Sequence, residues 1–433
     1  MDNFLARPKR YVTRVGQLIG QYEKVILALL AVVIVISGTF WYRQFTKGHD
    51  GGPTVGGSYV EGILGGEEEI QQIATRLTKV GLFSVEPNGK LKPVLVREWR
   101  VNPEKTEYVF VLNSQVDKNE ILTVLQNSLE LLGPSAVSLN DQDELVVALD
   151  EPNPNLPFTL AQPLFDYGPY KLSKATEKTT IFSRNPREGS LQPYLNKVII
   201  HTYATKELLQ QALSKRKISG SESNVTAPDR YILQSFELPR YYAVMFNLNK
   251  SPFRDGAMRR ALIDETAVAN TPFTLIVADQ EPNKSLAQDL VKRWQAQGAN
   301  VTLETKPLEE VQEKVGPSRN FQALLTGIDY GSELDPYYVW HSSQIRPPGN
   351  NFTGVKSGTV DQQIEAIRAS LDLSERSKLI KSLHETLNRE GVALFVRQET
   401  GSFIAEADVV VPTPWMAQNV IDRYRSIAYW YLK

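Results

Sequence analysis

The 433-residue chain contains no cysteine, and this absence removes several classes of chemistry at once. Disulfide bonds, thiolate catalysis, cysteine zinc sites and lipid attachment at an N-terminal cysteine are all excluded. Histidine is scarce as well: His49, His201, His341 and His384 are scattered, with no pair at metal-ligand spacing. The sequence therefore predicts no metal site and no cofactor.

Excess charge of either sign is also missing, since the formal net charge is −1. Such a balance lacks the excess of basic residues that is typical of nucleic-acid-binding proteins. No Ser-His-Asp, P-loop or metal-hydrolase motif is present, so we predict no catalysis. With 42% hydrophobic and 22% charged residues, the composition is that of an ordinary globular protein. A chain of this length can bury a large core and form more than one lobe.

Charge is absent from one long stretch near the N-terminus, residues 25–42, which ends in three aromatic residues. At 1.5 Å per residue this run is just long enough to span a bilayer. Five basic residues precede it in the tail 1–24 and two follow it closely, which favours a cytoplasmic N-terminus. A cleaved signal peptide is the alternative, but no A-x-A-like site follows. We expect a single-pass anchor in the cell membrane, a Gly-rich linker over 43–58, and an extracytoplasmic remainder.

The segment 321–354 carries the most suggestive chemistry. It begins as an apolar strand, Phe321 to Thr326, and continues as a loop. The loop combines carboxylates with aromatic rings: Asp329, Glu333 and Asp335 with Tyr330, Tyr337, Tyr338 and Trp340. This combination suits a ligand that has an ammonium group and an apolar body. The alternative is a surface loop whose acids are solvated and whose rings pack on the core.

Strand and helix patterns alternate through the region before this loop. Strands are predicted over 273–278, 301–304 and 321–326, with helices over 285–297 and 308–315 between them. This alternation predicts a parallel sheet with ligands at the C-terminal strand ends. Further along, Asp372 and Glu375 resemble a capping box for a helix over 374–389. His384 lies off the apolar stripe of this helix, so we expect it to be solvated. Residues 219–226 are expected to form a polar loop.

Two segments resemble the family 5 extracytoplasmic solute-binding proteins, the dipeptide and oligopeptide receptors of ABC importers. The first resembles the family's DYPDPDPYxFFHSS…GNNYSGY signature, with Glu333 in place of its first DPD aspartate. Its matching positions are Asp329, Tyr330, Asp335, Pro336, Tyr337, His341, Ser342, Ser343, Gly349, Asn350, Asn351 and Gly354. The second, 238–262, is similar to the family's strand, turn and helix around Asn247.

The resemblance implies an α/β, two-lobe periplasmic-binding-protein-like fold of type II, with a small inserted subdomain near 113–165. Lobe I would comprise 59–245, lobe II 246–392, and 393–433 would return to lobe I. An aspartate of the acidic loop holds the peptide amine in the family. Asp335, Asp329 or Glu333 would then bind the amine, with Tyr337 and Trp340 near the side-chain pockets. Asn247 and Tyr330 complete the expected ligand-binding set.

The implied function is a membrane-tethered receptor that captures peptides and delivers them to the permease subunits of an ABC transporter. Only residues 263–271 separate the helix near 260 from the sheet, where the family has a long stretch of cavity wall. The pocket should therefore be more open or differently shaped. A remodelled fold that serves as a surface sensor or interaction scaffold is the alternative.

Overall fold

The computed structural model describes residues 53–128, 133, 135–222 and 224–433, and Val55–Leu432 form one compact unit. The predicted tail (1–24), membrane anchor (25–42) and most of the linker (43–58) lie outside the described residues. Within the part of the chain that is described, no helix is both long and apolar enough to cross a membrane.

Strands form one large sheet and three smaller ones. In chain order they are β1 (Ser58–Ile63), β2 (Phe83–Val85), β3 (Leu91–Pro93), β4 (Val96–Val101), β5 (Glu107–Leu112), β6 (Ser135–Leu139), β7 (Leu145–Leu149), β8 (Tyr170–Thr176), β9 (Thr179–Arg184), β10 (Lys197–Thr202), β11 (Gly220–Glu222), β12 (Tyr231–Phe246), β13 (Pro272–Ala278), β14 (Asn300–Lys306), β15 (Ala323–Asp329), β16 (Ala393–Glu406), β17 (Val409–Val410) and β18 (Tyr431–Leu432).

Helices cover the sheets. They are α1 (Glu67–Thr78), α2 (Lys118–Gln126), α3 (Leu156–Thr159), α4 (Lys206–Ser214), α5 (Gly256–Ile263), α6 (Asn283–Ala296), α7 (Leu308–Glu310), α8 (Gly316–Ser318), α9 (Tyr337–Trp340), α10 (Gly358–Ala369) and α11 (Leu373–Arg389). A π-helical turn, Val311–Val315, joins α7 to α8, and Ser342–Ile345 and Val420–Tyr429 are 3₁₀ helices. Asp372 caps α11 by accepting hydrogen bonds from the backbone N–H groups of Ser374 and Glu375, as its position predicts.

The large sheet spans the ranges predicted as lobe I (59–245 and 393–433) and lobe II (246–392), and these two names are kept below for those ranges. Its strand order is β14-β13-β15-β12-β16-β11-β1-β10-β9-β8. In lobe II, β13 pairs in parallel with both β14 and β15, so the predicted parallel arrangement is confirmed. Leu290 and Trp294 of α6 are buried in the apolar cluster that covers this part of the sheet. Because β15 ends at Asp329, the acidic loop begins at the C-terminal edge of these parallel strands.

The two longest strands, β12 and β16, pair antiparallel along their length and carry the chain between lobes. Their register shifts between Glu237 and Tyr241, where three residues of β12 lie opposite the single residue Glu399 of β16. One of the three is Pro239, which has no N–H to contribute to a ladder and is therefore suited to a bulge. A bulge bends the strand that contains it. The sheet is thus interrupted where it passes from lobe I to lobe II.

Lobe I also contains an antiparallel four-stranded sheet of order β4-β5-β7-β6. This sheet begins at Val96, earlier in the chain than the subdomain expected near 113–165, and α2 packs on it through Ile121 and Leu125. The loop that follows β7 leads to α3, which carries the buried residue Phe158. This loop and α3 bring lobe I into contact with lobe II.

The prediction of a polar loop over 219–226 was wrong, because β11 lies there and occupies a central place in the large sheet. It pairs with β1 on one side and β16 on the other. Ser221 is fully buried, and its hydroxyl donates to the Gly62 carbonyl oxygen at 2.8 Å. A Cβ on Gly220 would lie 2.2 Å from the Tyr59 hydroxyl, so small residues are required. Hydropathy does not mark such a strand.

Candidate functional site

The acidic loop after β15 has its carboxylates engaged by protein groups. The Asp335 side chain is only 10% exposed. Asn155 donates to its Oδ2 at 2.5 Å, and Arg368 Nε lies 3.2 Å from the same oxygen. The backbone N–H of Tyr337 donates to its other oxygen. Because Asn155 belongs to lobe I, Asp335 is part of the contact between lobes.

Asp329 and Glu333 have different surroundings. Asp329 forms an ion pair with Arg240 at 3.2 Å, and Arg240 also contacts Glu399 at 3.1 Å. Glu333 accepts a hydrogen bond from the Ser332 hydroxyl at 3.1 Å. Ser332 in turn accepts one from Gln162 of lobe I at 3.0 Å. Asp329 therefore lies at the bend of β12, whereas Glu333 lies near the contact between lobes.

Arg376 connects these groups, and no sequence pattern marks it. This side chain of α11 is fully buried, and burial lowers its pKa to about 10. Its guanidinium donates to the backbone carbonyl oxygens of Glu333, Ser370 and Arg368, and its Cζ lies 4.5 Å from the centre of the Phe158 ring. Through these contacts Arg376 connects α11 to the acidic loop and to Phe158 of lobe I.

Tyr330 and Trp340 are buried in lobe II together with His384. The indole N–H of Trp340 donates to the Tyr330 hydroxyl at 2.7 Å, and that oxygen lies 2.9 Å from His384 Nε2. His384 stacks on Phe395, with ring centroids 3.6 Å apart. The expectation that His384 is solvated was wrong: β16 and the loop after β15 cover it, and burial lowers its pKa to about 3.

Tyr337 and Asn247 complete the predicted set. The Tyr337 ring is stacked between His341, at a centroid distance of 4.6 Å, and the Arg368 guanidinium, 4.1 Å from its centre. Asn247 is buried and donates to the carbonyl oxygens of Arg319 and Phe321. The structure therefore groups Asp335, Glu333 and Tyr337 near one end of α9, and places Asn247 in a turn below β12.

A cavity of about 360 Å³ lies where β12 and β16 cross between lobes. This volume is within the range of small-molecule sites. Lobe II contributes three lining residues, Ser332, Leu334 and Ser377. Lobe I contributes Gln234, Ser235, Phe236, Glu237, Leu238, Pro239, Tyr241, Gln398, Phe403, Val411, Pro412, Thr413, Pro414, Trp415, Met416 and Ala417. None of the seven predicted residues lines this cavity, although Ser332 and Leu334 flank Glu333.

The cavity wall combines apolar and aromatic side chains with amide and hydroxyl groups. Its one charged lining residue is Glu237, whose carboxylate lies 3.4 Å from Lys381 Nζ. Gln398 is fixed by donating to the Leu238 carbonyl oxygen and the Tyr241 hydroxyl, and burial raises the pKa of that tyrosine. Such a wall suits a ligand that has both an apolar body and several polar groups.

Two lining residues have unusual backbone conformations. Leu334 has φ 56° and Met416 has φ 68°, a left-handed region that is costly for side chains of this type. Both belong to an apolar cluster with Phe158 and Leu373, which joins the two lobes beside the cavity. The surrounding contacts hold these backbones in place, and such strain concentrates at binding and hinge sites.

The cavity-lining residues had only weak sequence signals. Pro239, interrupting an otherwise strand-like run, is the one that could have marked a bulge. The Pro- and Thr-containing segment 411–417 reads as an ordinary loop. Among the described residues, no group of three or more His, Asp or Glu side chains is placed to hold a metal ion.

No protein-family model and no curated protein matches this chain. Solved structures with a similar fold include HbpA2 from Haemophilus parasuis, at 12% identity and a TM-score of 0.67, covering 87% of this chain and 100% of that one. A nickel ABC transporter protein from Bacillus halodurans has 13% identity and a TM-score of 0.65, covering 87% and 98%.

The ABC transporter-associated periplasmic binding protein DppA from Helicobacter pylori, in complex with the peptide STSA, has 13% identity and a TM-score of 0.51, covering 88% and 98%. Identities this low establish the fold alone. The described part of the chain has the α/β fold of periplasmic binding proteins.

Proposed function

We propose that this protein captures a small solute between its two lobes and delivers it to an ABC transporter. The observation that carries the proposal is the cavity of about 360 Å³ at the crossing of β12 and β16, which is lined by residues of both lobes. A ligand bound there would contact both sides of the bend and would bias the angle between lobes. The chemistry is binding, with no catalytic step.

Peptides are the proposed solute class. The similarity in fold to DppA, which was solved with a peptide, supports this choice. The apolar wall suits side chains, and Gln234, Gln398 and the serines can pair with peptide amide groups. Within the cavity, Glu237 is the carboxylate placed to hold an amine. Amine binding by Asp335, Asp329 or Glu333 stays a prediction, and it would require Asp335 to exchange its bonds to Asn155 and Arg368.

The proposal includes a membrane tether. It rests on the uncharged apolar run 25–42 and on the basic residues that precede it. Such a tether would hold the binding lobes on the extracytoplasmic side, close to the permease subunits. Localisation of a C-terminally tagged full-length chain, with protease access from outside the cell, would test this part separately.

Ser377→Phe tests solute capture directly. Ser377 lies on α11 and lines the cavity, so a phenyl ring there fills space that a ligand would occupy. Ligand that binds only the folded state raises the melting temperature by mass action. We expect dipeptides or longer peptides to raise it in the full-length protein, and Ser377→Phe to abolish the rise. Ser382→Phe, on the exposed face of the same helix, is the control and should respond as the wild type does.

A scaffold or sensor without solute transport is the second candidate. The contacts of Asn155 with Asp335 and of Gln162 with Ser332 favour it, because they already join the lobes through groups that a ligand could use. If peptides, sugars and metal chelates all leave the melting temperature of the wild type unchanged, the scaffold becomes the better proposal.

A further inference from the structure

A groove of about 420 Å³ lies on lobe I, between α4 and the adjoining ends of β9 and β10. It is lined by 178–179, 201–204 and residues within 208–217, and is named the basic groove below. No residue lines both this groove and the interlobe cavity. The basic groove is therefore a separate surface feature, and its occupant need not be the captured solute.

The position of the basic groove follows from the strand order of lobe I. β1 pairs in parallel with both β10 and β11, and α4 belongs to the connection from β10 to β11. Thr202, the last residue of β10, lines the groove. Open α/β sheets bind ligands beyond the carboxyl ends of their parallel strands. The groove lies at such an end.

Three lysines from two separate turns line the basic groove. Lys178 lies between β8 and β9, and Lys215 and Lys217 follow α4. In the part of the chain that the structure describes, no carboxylate lines the groove and none of these lysines forms an ion pair. Glu177 and Glu207 are neighbours of lining residues in the sequence only. All three lysines are exposed, so their ammonium groups are free to reach an anionic partner.

The groove also has an apolar part. Leu208 is 49% exposed, and the half-buried ring of Tyr203 lines the same space. Leu208, Gln211 and Lys215 are spaced as one face of α4 and extend over about 10 Å. This is the length of about three residues of an extended peptide. An occupant that uses the whole groove combines negative charge with an apolar group.

We propose that the basic groove docks an acidic segment of a protein partner, with an apolar side chain of that segment against Leu208 and its carboxylates near the three lysines. Exposed lysines steer an oppositely charged partner and suit a transient contact. An inorganic polyanion would make no use of Leu208. The subunits of a transporter are one source of such a segment, but the docking does not depend on solute capture.

A lipid surface fits the basic groove less well than a protein segment does. A bilayer is flat and does not enter a groove whose floor includes His201 and Tyr203. The predicted linker also joins β1 at Ser58, whereas the groove lies near the other end of that strand, about 17 Å away along it. The proposed tether would therefore enter lobe I away from the groove.

The test uses the purified full-length protein and three fluorescein-labelled hexapeptides, which alternate glutamate with leucine, glutamate with serine, or glutamine with leucine. Fluorescence anisotropy measures their binding at low and at physiological ionic strength. Lys178→Glu and Lys217→Glu each reverse one charge of the groove. Lys356→Glu makes the same charge change at an exposed lysine of lobe II and is the control. Ser377→Phe separates the groove from the interlobe cavity, which a peptide could also enter.

We expect the glutamate–leucine peptide to bind Lys356→Glu and Ser377→Phe as tightly as the wild type. Lys178→Glu and Lys217→Glu should each weaken its binding by about fivefold, as expected for an exposed charge pair. Leu208→Ala should weaken the glutamate–leucine peptide by about threefold and leave the glutamate–serine peptide unchanged. Binding should fall with rising salt, and the glutamine–leucine peptide should bind least.

Three results would overturn the proposal, and each identifies what replaces it. Equal binding of the glutamate–leucine peptide to the wild type and both lysine variants, or its loss in Ser377→Phe, would place the peptide elsewhere. Tripolyphosphate that binds more tightly than the peptide, with no effect of Leu208→Ala, would make the groove a site for a small polyanion. Suppose instead that no peptide binds, and that both lysine variants lose a preference for vesicles containing phosphatidylglycerol over pure phosphatidylcholine. The groove would then be a lipid-binding surface.

Discussion

The acidic loop shows which contacts of a polar side chain the sequence does not reveal. Amine binding by Asp335 stays a prediction, but its Oδ2 also accepts from Asn155, which is 180 residues away in the chain, and lies beside Arg368. His384 was expected in solvent because it lies off the apolar stripe of α11. The loop after β15 and the strand β16 cover that helix from a second side, which a pattern within one helix cannot reveal.

The burial of His384 makes stability depend on pH. The unfolded chain takes up a proton on this residue near pH 6.5, whereas burial holds the pKa of the folded state at about 3. The stability that comes from keeping His384 neutral is therefore fully present above pH 6.5 and is lost as the pH falls towards 3. Between pH 7 and 5, we expect His384 to lower the free energy of unfolding by about 2 kcal/mol.

His384→Gln isolates this effect, because the glutamine amide can pair with the Tyr330 hydroxyl in either direction but does not titrate in this range. Urea unfolding at pH 7 and 5 should show a smaller loss in His384→Gln than in the wild type. His201→Gln, at a half-buried histidine of lobe I, serves as the comparison and should keep the wild-type loss. Identical pH dependence in all three proteins would contradict a neutral buried His384.

Among the elements, β12 and β16 matter most because they are the strands that cross between lobes at the cavity. Gly401 of β16 lies opposite Phe236 of β12, a lining residue. A Cβ at Gly401 would lie 2.7 Å from the Phe236 ring, which could move only into the cavity or the neighbouring core. The glycine therefore keeps the aromatic wall of the cavity in position.

Gly401→Ala should displace Phe236 and disturb the bend. We expect a loss of about 1–3 kcal/mol in the free energy of unfolding, as for other overpacked positions, together with weaker binding of any solute. Gly327→Ala is the matched variant on β15, where a Cβ would meet Tyr242 at 3.7 Å, an ordinary contact. It should fold with wild-type stability or slightly above it. Denaturant titration measures the free energy of unfolding of both variants. A wild-type value for Gly401→Ala would mean that Phe236 does not depend on this glycine for its position.

Regular elements with strong patterns were predictable from the sequence. The parallel strands β13, β14 and β15 and the helix α11 follow from apolar periodicity and a capping aspartate. β11 was not predictable, because it has no apolar pattern. Gly220 and Ser221 are small because neighbouring groups of β1 approach them closely. The cavity was missed for a similar reason: its wall comes from a bulge, a proline-containing loop and the face of α11, which meet only in the folded chain.

At the scale of the molecule, direct contacts already join the two lobes near the acidic loop. Asn155 reaches Asp335, Gln162 reaches Ser332, and Phe158 packs under Arg376. Binding proteins of this architecture close about a hinge, and the energy that holds the closed form sets how much a ligand must supply. These three contacts are thus candidates for the elements that set the resting angle between lobes.

Asn155→Asp tests this role by placing a second carboxylate against Asp335. Like charges at this distance repel, and the pair has little solvent to screen it. The cysteine-free sequence allows clean labelling at Lys215→Cys in lobe I and Lys292→Cys in lobe II, both exposed.

We expect the mean spin–spin distance between the two labels to lengthen in Asn155→Asp, and the distribution of distances to broaden. Asn196→Asp, at an exposed site of lobe I, should leave both unchanged. An unaltered distance in Asn155→Asp would mean that this contact does not set the angle, and the bend in β12 would then have to fix it alone.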